Sequence, residues 1–379
     1  MTTMETAFAR HLNPRAVYDQ LLQHHTLTRD EIAMHTGLTR VAASASVEQL
    51  VVRGLATRLG TRAVGGPAGR RYVLSPTAGY VVAADIRHGN VTVAAADLTG
   101  QLAARIRLPF GDPDDAAALL RRAVARVLDE AGADLDRLRR VVLGSPGVID
   151  PRTGEFAFAT TLPTWKHTIT GELRQSLNRP VVFENDVNLA AMAEARFGST
   201  AHDLVFALFG EGLGLGLVLN GHLHRGRHGW AGEIGYLPAA LPEAHTAVDG
   251  MRDSVHQLAS EPAVGELARS CGFGADPASA VTAAFAAGVA GTVFLDEVAR
   301  RAALVLSHAC LLIDPVVVVI DGAYVRAGGE PLLDLVRREM AAISPTPVRL
   351  ALPSVCDDPI LRGALQTALE DARDTLFDS

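Results

Sequence analysis

The chain has 379 residues, of which 48% are hydrophobic and 20% charged, so wholesale disorder is excluded and two or three domains are expected. Its three cysteines, Cys271, Cys310 and Cys356, lie far apart. That excludes a disulfide scaffold and any paired-cysteine zinc module, and it suits a reducing compartment. Residues 1–15 lack the apolar core of a signal peptide, and no run reaches the ~18 apolar residues of a membrane helix, so a cytoplasmic protein with no membrane partner is expected.

The net charge is −7, but it is unevenly spread. Nine arginines against five acids give residues 1–75 a charge of +4, which leaves −11 for the rest. A basic head on an acidic body is the asymmetry of a small polyanion-binding module joined to something with a different task. In the head, Ala16, Val17, Leu21 and Leu22 form a helical stripe within 13–25. Thr28 and Glu31 have the spacing of a capping box, which opens a short second helix ending near His35. Gly37 supplies a tight turn, and Thr39 caps a third helix with Ala43, Val47, Leu50 and Val51 on its inner face. Short helix, tight turn, longer helix is a helix-turn-helix. Thr39, Arg40 and Ser44 stand off the apolar stripe near the end that would enter a major groove. Strands over 55–60 and 71–74 then flank a Gly-rich stretch carrying Arg62 and Arg70, a wing suited to phosphate or minor-groove contact. The third helix is poor in long donors, so base reading rests on Arg40 and the wing, with much of the affinity from phosphates. Double-stranded operator DNA is the expected partner of this domain, residues 1–75.

Residues 76–379 read as a mixed α/β body. Strands over 80–85, 91–97 and 101–108 precede a helix over 112–131 and buried strands at 141–143 and 180–184. A helix over 187–197 follows. Strands over 204–209 and 213–219, separated by Gly210-Glu211-Gly212, repeat the opening order, and a helix over 296–313 leads to a strand over 316–321. Such a duplication makes two lobes, the second starting near 187, that face a ligand cleft.

Four stretches then carry a resemblance: Gly144-Ser145-Pro146-Gly147-Val148-Ile149-Asp150, Glu184-Asn185-Asp186-Val187-Asn188, Gly210-Glu211-Gly212-Leu213-Gly214 and Gly229-Trp230-Ala231-Gly232-Glu233-Ile234-Gly235. In order and spacing they resemble the ROK family of repressors and sugar kinases. The winged head resembles its sugar-responsive repressors, of the xylose and N-acetylglucosamine type. The resemblance implies an actin-like, ribonuclease H-like two-lobe fold. It places Asn185, Asp186 and Glu233 in sugar-binding positions, with His256 where the family has another sugar-binding Glu and Thr161 where it has an Asn. Asparagine and aspartate are also the preferred N-cap types, so a purely local role for Asn185 and Asp186 stands beside the ligand role.

The family's phosphotransfer parts are poorly matched. Arg87 and His88 follow Asp85 where small residues belong, and Glu211 places an anion in a phosphate turn, at ~1 kcal/mol in water and ~4 at an effective dielectric near 20 for charges ~4 Å apart. The family's zinc-ligand run is missing: Tyr236 follows Gly235, and no cysteine precedes Cys271 in that segment. No metal, cofactor or enzymatic activity is therefore expected. The reading is a transcriptional regulator, expected to be a repressor, with a sugar-like effector and a homodimeric or homotetrameric assembly. Two alternatives stay open, a sugar kinase with an accessory head and a DNA-binding protein whose body is a dimerisation scaffold or senses a non-sugar effector.

Overall fold

The computed structural model describes residues 3–59, 70–87, 89–110, 116–158, 168–199, 201–239, 254–343 and 347–377. The head opens with α1 (Thr3–His24), which runs through Pro14 and starts earlier than the expected helix over 13–25. Proline's fixed φ is helical and it removes one backbone donor, so a helix held by packing on its later turns continues across it. β1 (Thr26–Thr28), α2 (Arg29–Thr36), α3 (Arg40–Val52), β2 (Ala56–Leu59) and β3 (Arg71–Leu74) complete the head. The local chemistry acts as anticipated. Thr28 and Glu31 form a reciprocal capping box, Gly37 takes φ +70° to turn the chain, and Thr39 accepts from the Ala42 N–H. The strands pair antiparallel in the order β1–β3–β2, and three helices pack on them around Val17, Tyr18, Ile32, Val47, Leu50 and Tyr72. Val51, expected on the inner face, is only half-buried. The wing's tip, with Arg62, lies outside the described residues.

The body begins with the meander β4 (Tyr80–Arg87), β5 (Gly89–Asp97) and β6 (Leu102–Phe110). α4 (Ala116–Glu130), β7 (Leu138–Ser145), the hairpin of β8 (Val148–Ile149) and β9 (Phe156–Phe158), α5 (Ile169–Leu177) and β10 (Val181–Asn185) follow. α6 (Asp186–Ala193) is shorter than expected, because the chain passes into a π-type turn at Glu194–Gly198. There both Glu194 carboxylate oxygens accept from the Ser354 N–H, at 3.0 and 3.1 Å, and one accepts from Val355 N–H at 3.0 Å. The second lobe contains β11 (Leu204–Phe209), β12 (Leu213–Leu219), β13 (His222–Leu223), α7 (His256–Ala259), α8 (Glu261–Ser270), α9 (Pro277–Ala286), α10 (Thr292–Ile313), β14 (Val317–Asp321), α11 (Ala323–Ile343) and β15 (Arg349–Ala351).

The sheet orders are β10–β7–β4–β5–β6 and β13–β12–β11–β14–β15. Each is an antiparallel meander whose first strand also pairs, in parallel, with the first of two later strands. The same unit is therefore built twice, as the repeated strand–turn–strand pattern implied. All five residues of β14 are buried, the composition a central parallel strand requires. α12 (Pro359–Thr375) returns from the second lobe and packs on α6, β4 and β7. A Cβ at Gly363 would lie 1.9 Å from the Leu189 carbonyl oxygen, so only glycine lets α12 approach α6 this closely. Among the described residues, no helix is long and apolar enough to cross a membrane.

Candidate functional site

The two lobes enclose a cleft of about 760 Å³, within the range of small-molecule sites. Asn185, Asp186, Glu233 and His256 all line it. They come from the β10–α6 junction, the loop after β13 and the start of α7, so residues far apart in sequence converge on one cavity. Thr161 lies outside the described residues.

Asn185 performs the local task that its residue type allows. Its Oδ1 accepts from Val187 and Asn188 N–H at 2.9 and 3.1 Å, which caps α6. Its Nδ2 donates to the Gly147 carbonyl at 3.1 Å, which leaves one amide N–H for a ligand and ties the helix start to the Pro146-Gly147 wall. Asp186 accepts from Val187 N–H through Oδ1 at 2.9 Å, and burial pushes its carboxyl up to about 6. Glu233 is pushed up to about 7, first by burial and then by the Asp186 charge. Two carboxyls that share a half-buried space resist joint ionisation, and hydroxyl hydrogens donated by a ligand would relieve both. Burial shifts the His256 pKa down, and its buried Nδ1 meets no partner among the described residues.

Gly232 places Glu233. It has φ +97°, and a Cβ there would lie 2.0 Å from the Leu215 carbonyl oxygen. Gly229 approaches the first lobe as closely, with a Cβ position 2.0 Å from the Ile149 carbonyl oxygen. A half-buried ion pair fixes the same loop: Arg225 Nε donates to Glu184 Oε2 at 2.6 Å, and Glu184 Oε1 accepts from Asn188 Nδ2 and from Asn185 N–H at 2.9 Å each. Glu184 and Arg225 thus join β10 to the second lobe, beside the loop that carries Glu233. Neither was expected from spacing, because nothing in the sequence shows that they meet.

The rest of the cleft is crowded with charge. Asp85 Oδ2 accepts from Arg87 Nε at 2.8 Å while its buried Oδ1 has no partner among the described residues, and burial raises its pKa despite Arg87. Across the cleft, Asp321 takes Arg326 through two bonds of 2.6 Å. Arg105 pairs with Asp358 at 2.6 Å, and Arg107 donates to Asn90 Oδ1 at 3.2 Å. Glu211 is exposed on the turn between β11 and β12 and also lines the cleft. Among the described residues no group of three His, Cys, Asp or Glu side chains is arranged to hold a metal ion.

In the head, Thr39, Arg40 and Ser44 lie together at the start of α3. The Arg40 side chain is 81% exposed and pairs with Asp30 at 3.1 Å, a surface contact of small energetic worth. The Thr39 hydroxyl is engaged in its cap and Ser44 is half-buried. Val41, 80% exposed beside Arg40, was not singled out from the sequence, although it lies off the inner stripe. Arg70 is exposed at the foot of β3, and Arg62 lies outside the described residues.

A family model described as ROK family matches residues 81–370. The chain belongs to the ROK family. This ROK chain is 24% identical over 243 residues to the xylose repressor of Bacillus spizizenii, a match covering 62% of this chain and 63% of that protein. It thus spans a little under two thirds of that relative's length. It is 26% identical over 293 residues to the glucokinase of Halalkalibacterium halodurans, covering 71% and 86% of the two chains. The crystal structure of a ROK family transcriptional regulator, a homolog of the Escherichia coli MLC protein, superposes with a TM-score of 0.78 at 18% identity, over 97% of this chain and 98% of that one. The fold is therefore shared across head and body.

Proposed function

We propose that this ROK protein is a DNA-binding transcriptional regulator, of repressor type, whose interlobe cleft senses a sugar or sugar derivative. The observation that carries this reading is the course of α12. Pro359 and Ile360, at its start, line the cleft, and Phe377, just beyond its end, is buried in the core of the winged head. Arg373 Nε and the head's Tyr18 hydroxyl both donate to the Leu98 carbonyl at 3.1 Å. A ligand drawn in by Asp186 and Glu233 would press on α6 and on α12 packed against it, and the head is seated on the far end. Ligand must bind two head poses unequally to have an effect. In a dimer, a changed pose alters the separation of two recognition helices that must match half-sites ~34 Å apart.

Phosphotransfer is disfavoured by the same cleft. Phosphates would have to enter beside Glu211, and the Arg87–Asp85 and Arg326–Asp321 pairs occupy both flanks with side chains rather than bare backbone donors. Full-length protein titrated with labelled duplex should bind with a salt-dependent affinity. Arg40→Ala should weaken that binding, and a panel of sugars should contain one that saturably raises Tm. Absence of any salt-sensitive DNA binding would overturn the regulator reading. ATP turnover with a hexose, abolished by Asp186→Asn, would establish the kinase alternative. A flat panel with intact DNA binding would favour a body that senses a non-sugar effector or acts as a scaffold.

A further inference from the structure

Between the head and the first lobe lies a second concavity of about 640 Å³, bordered by the connecting residues Ser75, Thr77 and Ala78. Arg53 and Arg58 line it from the head, Arg137 and Arg139 line it from the body, and no acidic residue lines it among the described residues. Only Arg58 has a carboxylate partner among the described residues, Glu48 of α3. Arg53 donates to the Leu376 carbonyl and lies over the Phe377 ring, and Arg139 donates to the Ala78 carbonyl at 3.1 Å. The acid nearest Arg137 in sequence, Asp136, is turned to Arg179. This body carries −11 and pairs three of its four cleft arginines, Arg87, Arg105 and Arg326, with acids, so a group of arginines mostly without counter-charge stands out.

We propose that this recess binds a small polyanion, with two or more phosphate or carboxylate groups, that bridges the head and the body. Guanidinium forks match such groups in bidentate geometry, and Thr57 and Thr77 add hydroxyls to the same lining. The volume suits a molecule of di- or triphosphate size. A duplex is the wrong partner here. Arg40 is at the DNA-facing start of α3, and Arg53 lies beyond the other end of a 13-residue helix, ~20 Å away, where the body closes the space. An anion held by both walls would favour the head pose that brings them together. The binding itself does not depend on what the cleft senses.

The test uses full-length protein and sodium tripolyphosphate at fixed ionic strength, followed by calorimetric titration and thermal shift, with citrate as the carboxylate arm. Saturable binding near one per chain is expected, weakened about ten-fold or more in R137A/R139A and in the single charge reversal R137E, and unchanged in D186N. Because Arg137 and Arg139 are exposed, the variants should melt like wild type without the anion. Absence of saturable binding would overturn the proposal, as would unchanged affinity in both arginine variants, which would place the anion on the head's DNA face. Weaker duplex binding by R137E without polyanion would instead make this patch a DNA contact.

Discussion

Phe377→Ala tests the connection between helix α12 and the head. The ring is 7% exposed, meets Tyr18 edge-on at 5.7 Å, and lies under the Arg15 and Arg53 guanidiniums at 6.0 and 5.4 Å. Burying such a side chain stabilises by ~1.5–3 kcal/mol, an aromatic pair adds ~0.5–1.5, and each exposed cation–π contact adds ~0.5–1. Together these give a loss of about 3–6 kcal/mol, which overlaps the ~3–5 kcal/mol typical of Phe-to-Ala changes in cores. The rest of the head's core, from Val17 to Leu74, stays intact, so the loss falls on docking rather than on the head's own fold. Calorimetry should therefore show one transition in wild type, and a separate, lower head transition in the variant. Hydrogen exchange should rise in the last turn of α12 and the adjoining face of α1, with little change in β4 and β7. A variant that keeps the wild-type transition and exchange pattern would refute the claim that Phe377 couples the two parts.

The cleft carboxyls make stability and binding pH-dependent. Their folded pKa values, about 6 for Asp186 and about 7 for Glu233, lie above the unfolded ones, so protons bind the folded state more tightly and stability falls as pH rises from about 4 to 7. Affinity for a hydroxyl-bearing ligand should rise over the upper part of that window, and D186N should flatten both trends, as read by Tm and titration at pH 5.5 and 8. Gly232→Ala forces a side chain into a positive-φ position against the Leu215 carbonyl, and a loss of more than about 3 kcal/mol in denaturant melts is expected, with Glu233 displaced. Arg225→Met leaves Glu184 buried without its cation. A cost of roughly 1–3 kcal/mol in denaturant melts is expected, discounted for the partial exposure of Arg225.

Much of this protein was legible in local pattern. Capping at Thr28 and Thr39, the turn at Gly37, the duplicated strand order and the four family stretches depend on near-neighbour sterics and hydrogen bonding, which the sequence encodes within a few residues. The Arg87–Asp85 contact was legible in principle, since residues two apart on a strand share a face. Pro14 and the early end of α6 escaped because packing overrides local preference at both places. The closure of Glu184 on Arg225, the four arginines at the head–body recess and the burial of Phe377 beneath Arg15 and Arg53 belong to a different class. By itself the sequence determined which residues could cap, alternate or turn. Only the tertiary structure decided which charges meet and which are left facing one another, because those partners are set by the surfaces that the chain's topology brings together across hundreds of residues.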